Sequence, residues 1–519
     1  MVVCRSIVRT GCGSGSGRGA VRRSRESDQF QVHRPYVRPP CGGLSGGRPG
    51  RRPLDHANPS RPGAYEPLTA SSAVTLSGYA LSGDRGAGCT MVRGAASGPG
   101  AIRDKSGSWW QAAPGRPMDV SCFGAKMDGK TDDTAAVQAA ITAAAMSGAG
   151  GQVTIPGGSI RIGSVNLPSN IRLSGAGMNA TAVFAATSTG DVFSASDPSN
   201  VSNVAIEALA VYGAGGRRQT GGHYVLFRNC TNCRVSDFLF SGAFVGAEVT
   251  GPNTVNVALE RGRSDGAVLY HFAVSGGSDT FLRGLVTTAG GGDQAKCGVR
   301  LTQSGGTWIS DSDITASGHG TCVQPGSNQS VKWTFVSNTA LGDSGSGYGL
   351  FLAPTGTGAI YGFSASNAWT SANKKAGIAT QCEDGGVIEA LTLNAHRAVA
   401  NTLDGMIFTC GNGIRIIAPT VVDNSNPDGG GVAGRNSGIA FGPGISHFTV
   451  AGGEFRALFG SKPFQAHAVR VMPGASDYYT IQALTVSGVR PPASPFKMAG
   501  RARTRRWRTT GSVSDCSPP

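Results

Sequence analysis

From about residue 200 onward, apolar and polar positions alternate in short runs that end at Gly, Asn, Asp or Ser. One series reads CRVSDFLF from 233, TFLRGLVTTA from 280, TWISDSDITA from 307, VKWTFVSNTA from 331 and VIEALTLNAH from 387. A second, between its members, reads GAEV from 246, GVRL from 298, TCVQ from 321, GLFL from 349, GIAT from 377 and GMIF from 405. Alternation with period two describes a strand with one buried face. Members of a series recur roughly every 21–34 residues, the period of a solenoid coil. One coil cannot bury its own apolar face; stacked neighbours can, and their strands then join in a continuous parallel sheet. Hairpin signals such as Asn-Gly are scarce, which argues against a β-sandwich. The pattern predicts an all-β solenoid of about ten coils.

One stretch ahead of the coils reads differently. In FGAKMDGKTDDTAAVQAAI (123–141), Val137, Ala140, Ile141 and Ala144 fall at i, i+3, i+4 and i+7, the stripe of an amphipathic helix. Thr131, Asp132 and Asp133 offer side-chain oxygens to the first-turn N–H groups, and Gly148 is the expected stop. Earlier still, 78–94 and 105–114 read as a glycine-turned hairpin closed by Trp109 and Trp110. The expected organisation is a disordered tail over 1–62, a small head over 63–118, the solenoid over 119–496 and a second disordered tail over 497–519.

Charge supports this division. The formal net charge is +15, but twelve arginines stand against Glu26, Asp28 and Asp55 in 1–62, and Lys497 with five arginines against Asp515 in 497–519. The body between is nearly neutral. A strong positive field is therefore confined to the tails, and no nucleic-acid partner is expected of the solenoid. No apolar run of about 18 residues predicts a membrane span. The N-terminus lacks the apolar region of a signal peptide, and residues 1–62 differ enough in character to suggest that the natural start lies further in. The twelve cysteines show no zinc spacing; Cys230 and Cys233 form an isolated C-x-x-C, and buried thiols are the expected state.

The block FGAKMDGKTDDTAAVQAAI, with GGQVTIPGGSIRIGSVNLPSNIRLSGAG (150–177) after it, resembles the opening of the pectate lyase superfamily domain shared by rhamnogalacturonases, epimerase-like proteins and phage tailspikes. The resemblance implies a right-handed single-stranded parallel β-helix capped by an N-terminal α-helix. The head, GYALSGDRGAGCTMVRG (78–94) and KSGSWWQAAP (105–114), resembles a segment of phage-tail and prophage relatives.

Three adjacent coils then carry candidate chemistry. Asp265 in RSDGAVLY, Asp293 in GGGDQAKCGVRL and His319 in ASGHGTCVQ each precede a strand of the second series. Equivalent positions in neighbouring coils lie about 5 Å apart, the scale of acid–base glycoside chemistry. The succession is similar to that of the polygalacturonases, whose coils read N-T-D-G, G-D-D-C, G-H-G and R-I-K; here the second acid and the Arg-x-Lys are missing. The resemblance implies Asp293 as general acid, Asp265 as activator of water and His319 as an orienting or sugar-binding group. A lyase would instead need an Arg or Lys base and a neutraliser of the uronate carboxylate, for which Arg300 and Arg283 are the candidates on the same face. No acidic triad for calcium is legible and no cofactor or metal is expected; an alginate-type epimerase would also want G-G-x-G-x-D repeats, which are absent. Trp308, Trp333 and Trp369 recur in the first series as a candidate saccharide strip, and Trp308, Trp333 and Arg300 are the expected substrate-binding residues. Asp311 and Asp313 are expected on one solvated strand face; Glu248, Glu260 and Asp237 are further acids without rank. The expected function is a polysaccharide hydrolase or lyase, secreted or virion-associated. The alternative is a non-catalytic glycan-binding or structural tail protein, trimeric if tailspike-like.

Overall fold

The computed structural model describes residues 72–79, 88–94, 97–146, 150–289, 295–458, 464–475, 478–487, 489 and 496–498. The regions expected to be disordered at the two ends fall almost wholly outside this set, as do Gly148 and Asp293.

The head is a four-stranded antiparallel sheet in the order Ala73–Thr75, Thr90–Gly94, Trp109–Ala112, Ile102–Arg103. Trp110 closes it from within, packed with Leu76, Met91 and Ile102 and donating its indole N–H to Asp104 at 3.0 Å. Trp109 faces outward beneath the Arg103 guanidinium, 5.6 Å from its ring centre. Cys89 and Cys122 form a disulfide between this sheet and the 3-10 turn Val120–Phe123.

The helix Thr134–Ala145 buries Val137, Ala140, Ile141 and Ala144, the stripe read from the sequence. Its capping differs from expectation. Asp132 accepts the Thr134 N–H at 3.0 Å, but Asp133 turns back to the N–H groups of Lys126 and Met127 at 2.8 and 3.0 Å. Thr131 bonds to Asp128. The acid cluster thus ties down the loop before the helix more than the first turn.

Everything beyond is a parallel β-helix. Each coil contributes to three long ladders, A, B and C, named in the order the chain visits them after the helix. Ladder A passes in register through Met118, Val153, Leu173, Ile206, Val235, Leu259 and Leu282. It continues through Ile309, Val336, Ala365, Leu393, Ile416, Val450 and Ile481. All fourteen are buried. The column has more members than the ten or so coils expected. On ladder C the last described strand is Phe496–Met498, paired with His467–Val471.

Two recurring features shape the coil. Between ladders A and B the chain bends at one residue of positive φ: Asp237, Arg261, Gly284, Asp311, Asn338 and Asn367 occupy it in succession, with φ between 48° and 60°. Gly, Asn and Asp suit this conformation because they escape or compensate the Cβ clash. Just before the inward residue of ladder C stands a column of glycines, Gly298, Gly320, Gly349, Gly377, Gly405 and Gly438. A Cβ on Gly320 would lie 2.5 Å from the Gly349 carbonyl, and one on Gly405 2.5 Å from that of Gly438. The G that opens so many members of the second series is this column. Inside the same corner Asn373, Asn401 and Asn424 link amide to amide at 2.8 Å, and Asn424 reaches Gln465 at 3.2 Å.

The cysteines correct the expectation of thiols. Besides Cys89–Cys122, disulfides join Cys230–Cys233, Cys297–Cys322 and Cys382–Cys410. The last two separations, 25 and 28 residues, are one coil each, so stacking itself brings the partners together.

Candidate functional site

On the exterior of ladder C, between residues 190 and 350, charged and aromatic groups gather in two neighbouring rows. Along one outward row stand Glu248, Ala273 and Arg300. Along the row beside it stand His223, Val245, Tyr270, Cys297 and His319. Two cavities adjoin there, of about 260 and 450 Å³. Tyr270 lines both; Arg300, Glu248 and His223 line the first, and Lys296, His319 and Gln324 the second.

His223 bridges two carboxylates, with Nδ1 2.7 Å from Asp191 and Nε2 2.6 Å from Glu248. Burial pulls this imidazole down, but its two hydrogen-bonded acids outweigh burial and hold it at about 9, so it is an imidazolium at neutral pH. Glu248 responds in kind: burial raises it, while hydrogen bonds from His223 and the Ser275 hydroxyl bring it below its ordinary value. Arg300 lies over the Tyr270 ring at 5.0 Å. Its Nε is buried without a hydrogen-bond partner, and it forms no ion pair among the described residues. By contrast Arg172 pairs with Glu207, Arg261 with Asp237, Arg263 with Asp265 and Arg283 with Glu260.

His319 has the opposite setting from His223. Burial and the Lys375 charge lower it to about 4. Its Nδ1 accepts the Tyr348 backbone N–H at 3.1 Å, so the neutral ring carries its proton on Nε2. The ring stacks on Phe351 at 4.9 Å. The Cys297–Cys322 disulfide joins the strand Cys297–Gln303, which bears Arg300, to the strand His319–Val323.

Only part of the expected set converges here. Arg300 and His319 do, as does Glu248 from the unranked acids. Asp265 does not: it ends a strand of ladder B, where Arg263 Nε reaches it at 2.7 Å and the Thr288 hydroxyl at 2.6 Å. The ladder C position in its coil that aligns with His319 is Tyr270. Asp293 lies outside the described residues. Arg283 is on ladder A, paired with Glu260 and lying over Phe281 at 4.3 Å, so it shares no face with Arg300. The three tryptophans do not make one strip. Trp308 stacks between Phe281 and Phe335 on ladder A, at 4.9 and 5.6 Å. Trp333 is a positive-φ turn residue, and Trp369 lies on ladder B. Asp311 is the bend residue and Asp313 starts the next strand, so they do not share a strand either. Glu260 and Asp237 serve the ion pairs of ladder A's exterior and its bend. Asp191, His223 and Tyr270 were missed; no local motif marks them, and only register unites them.

Among the described residues no cluster of three or more His, Cys, Asp or Glu side chains is arranged to hold a metal ion, and no helix is long and apolar enough to cross a membrane.

Residues 118–351 match the family described as rhamnogalacturonase A/epimerase, pectate lyase-like. Two curated relatives, both from Azotobacter vinelandii, match a short stretch. Alginate lyase 7 is 47% identical over 73 residues, 12% of this chain and 8% of that protein. Mannuronan C5-epimerase AlgE3 is 44% identical over 74 residues, 13% of this chain and 4% of that protein. The chain therefore spans a small part of the length of these relatives. Among solved structures, the A-module of mannuronan C-5 epimerase AlgE4 from the same organism superimposes with a TM-score of 0.52 at 15% identity, covering 75% of this chain and 99% of that one. A tailspike of E. coli bacteriophage HK620, solved with a pentasaccharide, gives 0.50 at 15% identity, covering 74% and 75%. At such identity the likeness is one of fold. Over residues 118–351 the chain thus matches the rhamnogalacturonase A/epimerase, pectate lyase-like family, and its stacked coils share the parallel β-helix fold of these structures.

Proposed function

We propose that the protein is a polysaccharide-active enzyme that takes a uronate-containing glycan along the exterior of ladder C and moves a proton at C5 of a uronate residue. The carrying observation is Arg300, a guanidinium set against Tyr270 in a cavity of mixed lining, with no ion-pair partner among the described residues. A cation left unpaired in a concave site is suited to an anionic ligand, and a guanidinium meets a carboxylate with two parallel hydrogen bonds. Neutralising the uronate carboxylate is what makes the C5–H acidic enough to lose. Tyr270, at the junction of the two cavities, exchanges that proton. His319, neutral with its proton on Nε2, offers that N–H as a hydrogen bond to the glycosidic oxygen. In elimination the C5–H bond breaks as its proton passes to Tyr270, its electron pair forms C4=C5, the C4–O4 bond breaks and O4 leaves with the proton that Tyr270 took. In epimerisation the proton returns to the other face of C5 and O4 stays bound.

Relatives named alginate lyase and mannuronan C5-epimerase support this reading over hydrolysis. So does Asp265, whose carboxylate is engaged by Arg263 and Thr288 and which lies on a different ladder from His319. Four disulfides suit an oxidising compartment, in keeping with a secreted or virion-borne protein.

The test is incubation of the full chain with polymannuronate, polyguluronate and polygalacturonate. Ultraviolet absorbance of unsaturated uronate, new reducing ends and C5 deuterium uptake in heavy water are read in parallel. Absorbance or deuterium uptake in the wild type, reduced about 100-fold in Arg300→Ala and kept in Asp265→Asn, is the expected result. Reducing ends without either signal, lost in Asp265→Asn, would replace it with hydrolysis. Binding without any product would leave a glycan-binding protein.

A further inference from the structure

A second site stands on another face. Along the exterior of ladder B, Asp313, Ala340, Trp369 and Arg397 occupy consecutive coils in register. Beside them, at the A–B bend, stand Asn338 and Asn367. These six line an open groove of about 540 Å³. The Trp369 indole is 45% exposed, too much for a packing role to account for its whole surface. Ala340, one coil before it, is small and leaves the floor beside the ring clear.

The polar groups of this groove are held in place before any ligand arrives. Asn367 donates its amide to Asn338 at 2.8 Å, and Asn338 donates to Asp311 at 3.2 Å. The amides are thus oriented by their own ladder, and less conformational freedom remains to be lost on binding. With about 4.8 Å per coil, Asp313 and Arg397 stand roughly two coils and one coil from the indole, on opposite sides. An apolar platform between a carboxylate, which accepts hydroxyl protons, and a guanidinium, which donates, matches a pyranose: apolar C–H face, equatorial hydroxyls at the rim. Asp311 and Asp313 make the groove hostile to a polyanion, and the one cation does not exceed them.

We infer that this groove binds a neutral oligosaccharide, with a sugar ring on Trp369 and its hydroxyls shared between Asp313, Arg397 and the Asn338–Asn367 amides. It lies on ladder B, whereas the proposed reaction site lies on ladder C. Its ligand differs in charge from the proposed substrate, so it serves as an anchor to a neutral glycan rather than as a subsite of the reaction.

The test is a tryptophan-fluorescence and calorimetric titration of the full chain with cellohexaose, N-acetylchitohexaose and hexamannuronate. At least one neutral hexasaccharide is expected to bind wild type and Arg300→Ala alike, with affinity falling about tenfold or more in Trp369→Ala and recovering in part in Trp369→Phe. Ala340→Glu, which fills the floor from the neighbouring coil, is expected to abolish binding as well; it keeps the test open should Trp369→Ala fold poorly. If neither neutral probe binds, or binding is unchanged in both Trp369→Ala and Ala340→Glu, the inference is overturned. If hexamannuronate alone binds and Trp369→Ala weakens it, the groove holds the acidic polymer and the inference is likewise wrong. Because Arg300 takes no part here, failure of this site leaves the proposed reaction standing, and the reverse holds too.

Discussion

At the scale of the residue, the histidines divide by partner. His223 sits between two carboxylates and is held at about 9. Burial takes His271 to about 4 against the opposing pull of the Asp265 charge, and takes His396 to about 3; His319 falls to about 4. An unfolded histidine titrates near 6.5. Below that value the unfolded chain binds protons that these last three refuse, so acidification from about 6.5 toward 4 favours unfolding. His223 acts in the other direction: its stabilising charge is complete below 6.5 and is lost as pH rises through about 9. Urea midpoints measured across pH are therefore expected to peak near 6.5 and fall on both sides. His223→Gln should remove much of the alkaline fall and leave the acid limb. A midpoint that climbs steadily to pH 9 would contradict the imidazolium assignment. For the reaction, Arg300→Lys keeps the charge but not the paired donors, and turnover is expected to fall at least tenfold, read by the same product assays.

At the scale of the element, each coil is held by what stacks on it, and the interior corner is held by amides. Asn401 donates to Asn424 and accepts from Asn373, all three buried. Asn401→Ala takes away the acceptor shared by the Asn373 backbone and amide N–H groups, so about 1–3 kcal/mol should be lost in denaturant titration. Asn394→Ala, on the exposed exterior of ladder A, should cost within about 0.5 kcal/mol. Equal costs would mean that the inner amide ladder is not formed. The strands themselves were legible in the sequence, because period-two alternation records which face is buried. Which ladder a residue belongs to was not. Asp265 and His319 each precede a strand in the sequence, yet one closes ladder B and the other opens ladder C. The turn between them has no fixed length, and a displacement of a few residues moves a side chain to another face.

At the scale of the whole molecule, three of the four cross-links join parts distant in sequence that the fold brings close. Cys297–Cys322 and Cys382–Cys410 staple neighbouring coils, and Cys89–Cys122 ties the head to the first turn of the β-helix. For closed loops of this length each bridge is expected to contribute about 3 kcal/mol, chiefly by restricting the unfolded chain. Alkylation of the denatured, unreduced protein should leave these eight cysteines unmodified in peptide mass spectra, and reduction should lower the thermal midpoint. Full alkylation without reductant would remove the bridges from the account. The coil period held this information: 25 and 28 residues separate the two cross-coil pairs, one turn of the solenoid, although the cysteines taken one by one suggested buried thiols.

The sequence by itself determined the fold and its direction of growth. Alternating apolar positions, recurring turn residues and the opening FGAKMDGKTDDT block are local signals, and a solenoid is built from contacts between neighbours, so local signals suffice. It also singled out Arg300 and His319, whose residue types carry charge or protons wherever they stand. The tertiary structure decided the company they keep. Asp191, His223 and Glu248 come from three successive coils, and Tyr270 joins Arg300 and His319 only through the register of ladder C. That register is set by loops of unequal length between strands, a sum over many residues to which no single motif points. For the same reason an arginine one ladder away became an ion-pair partner, while Arg300 was left facing the cavity.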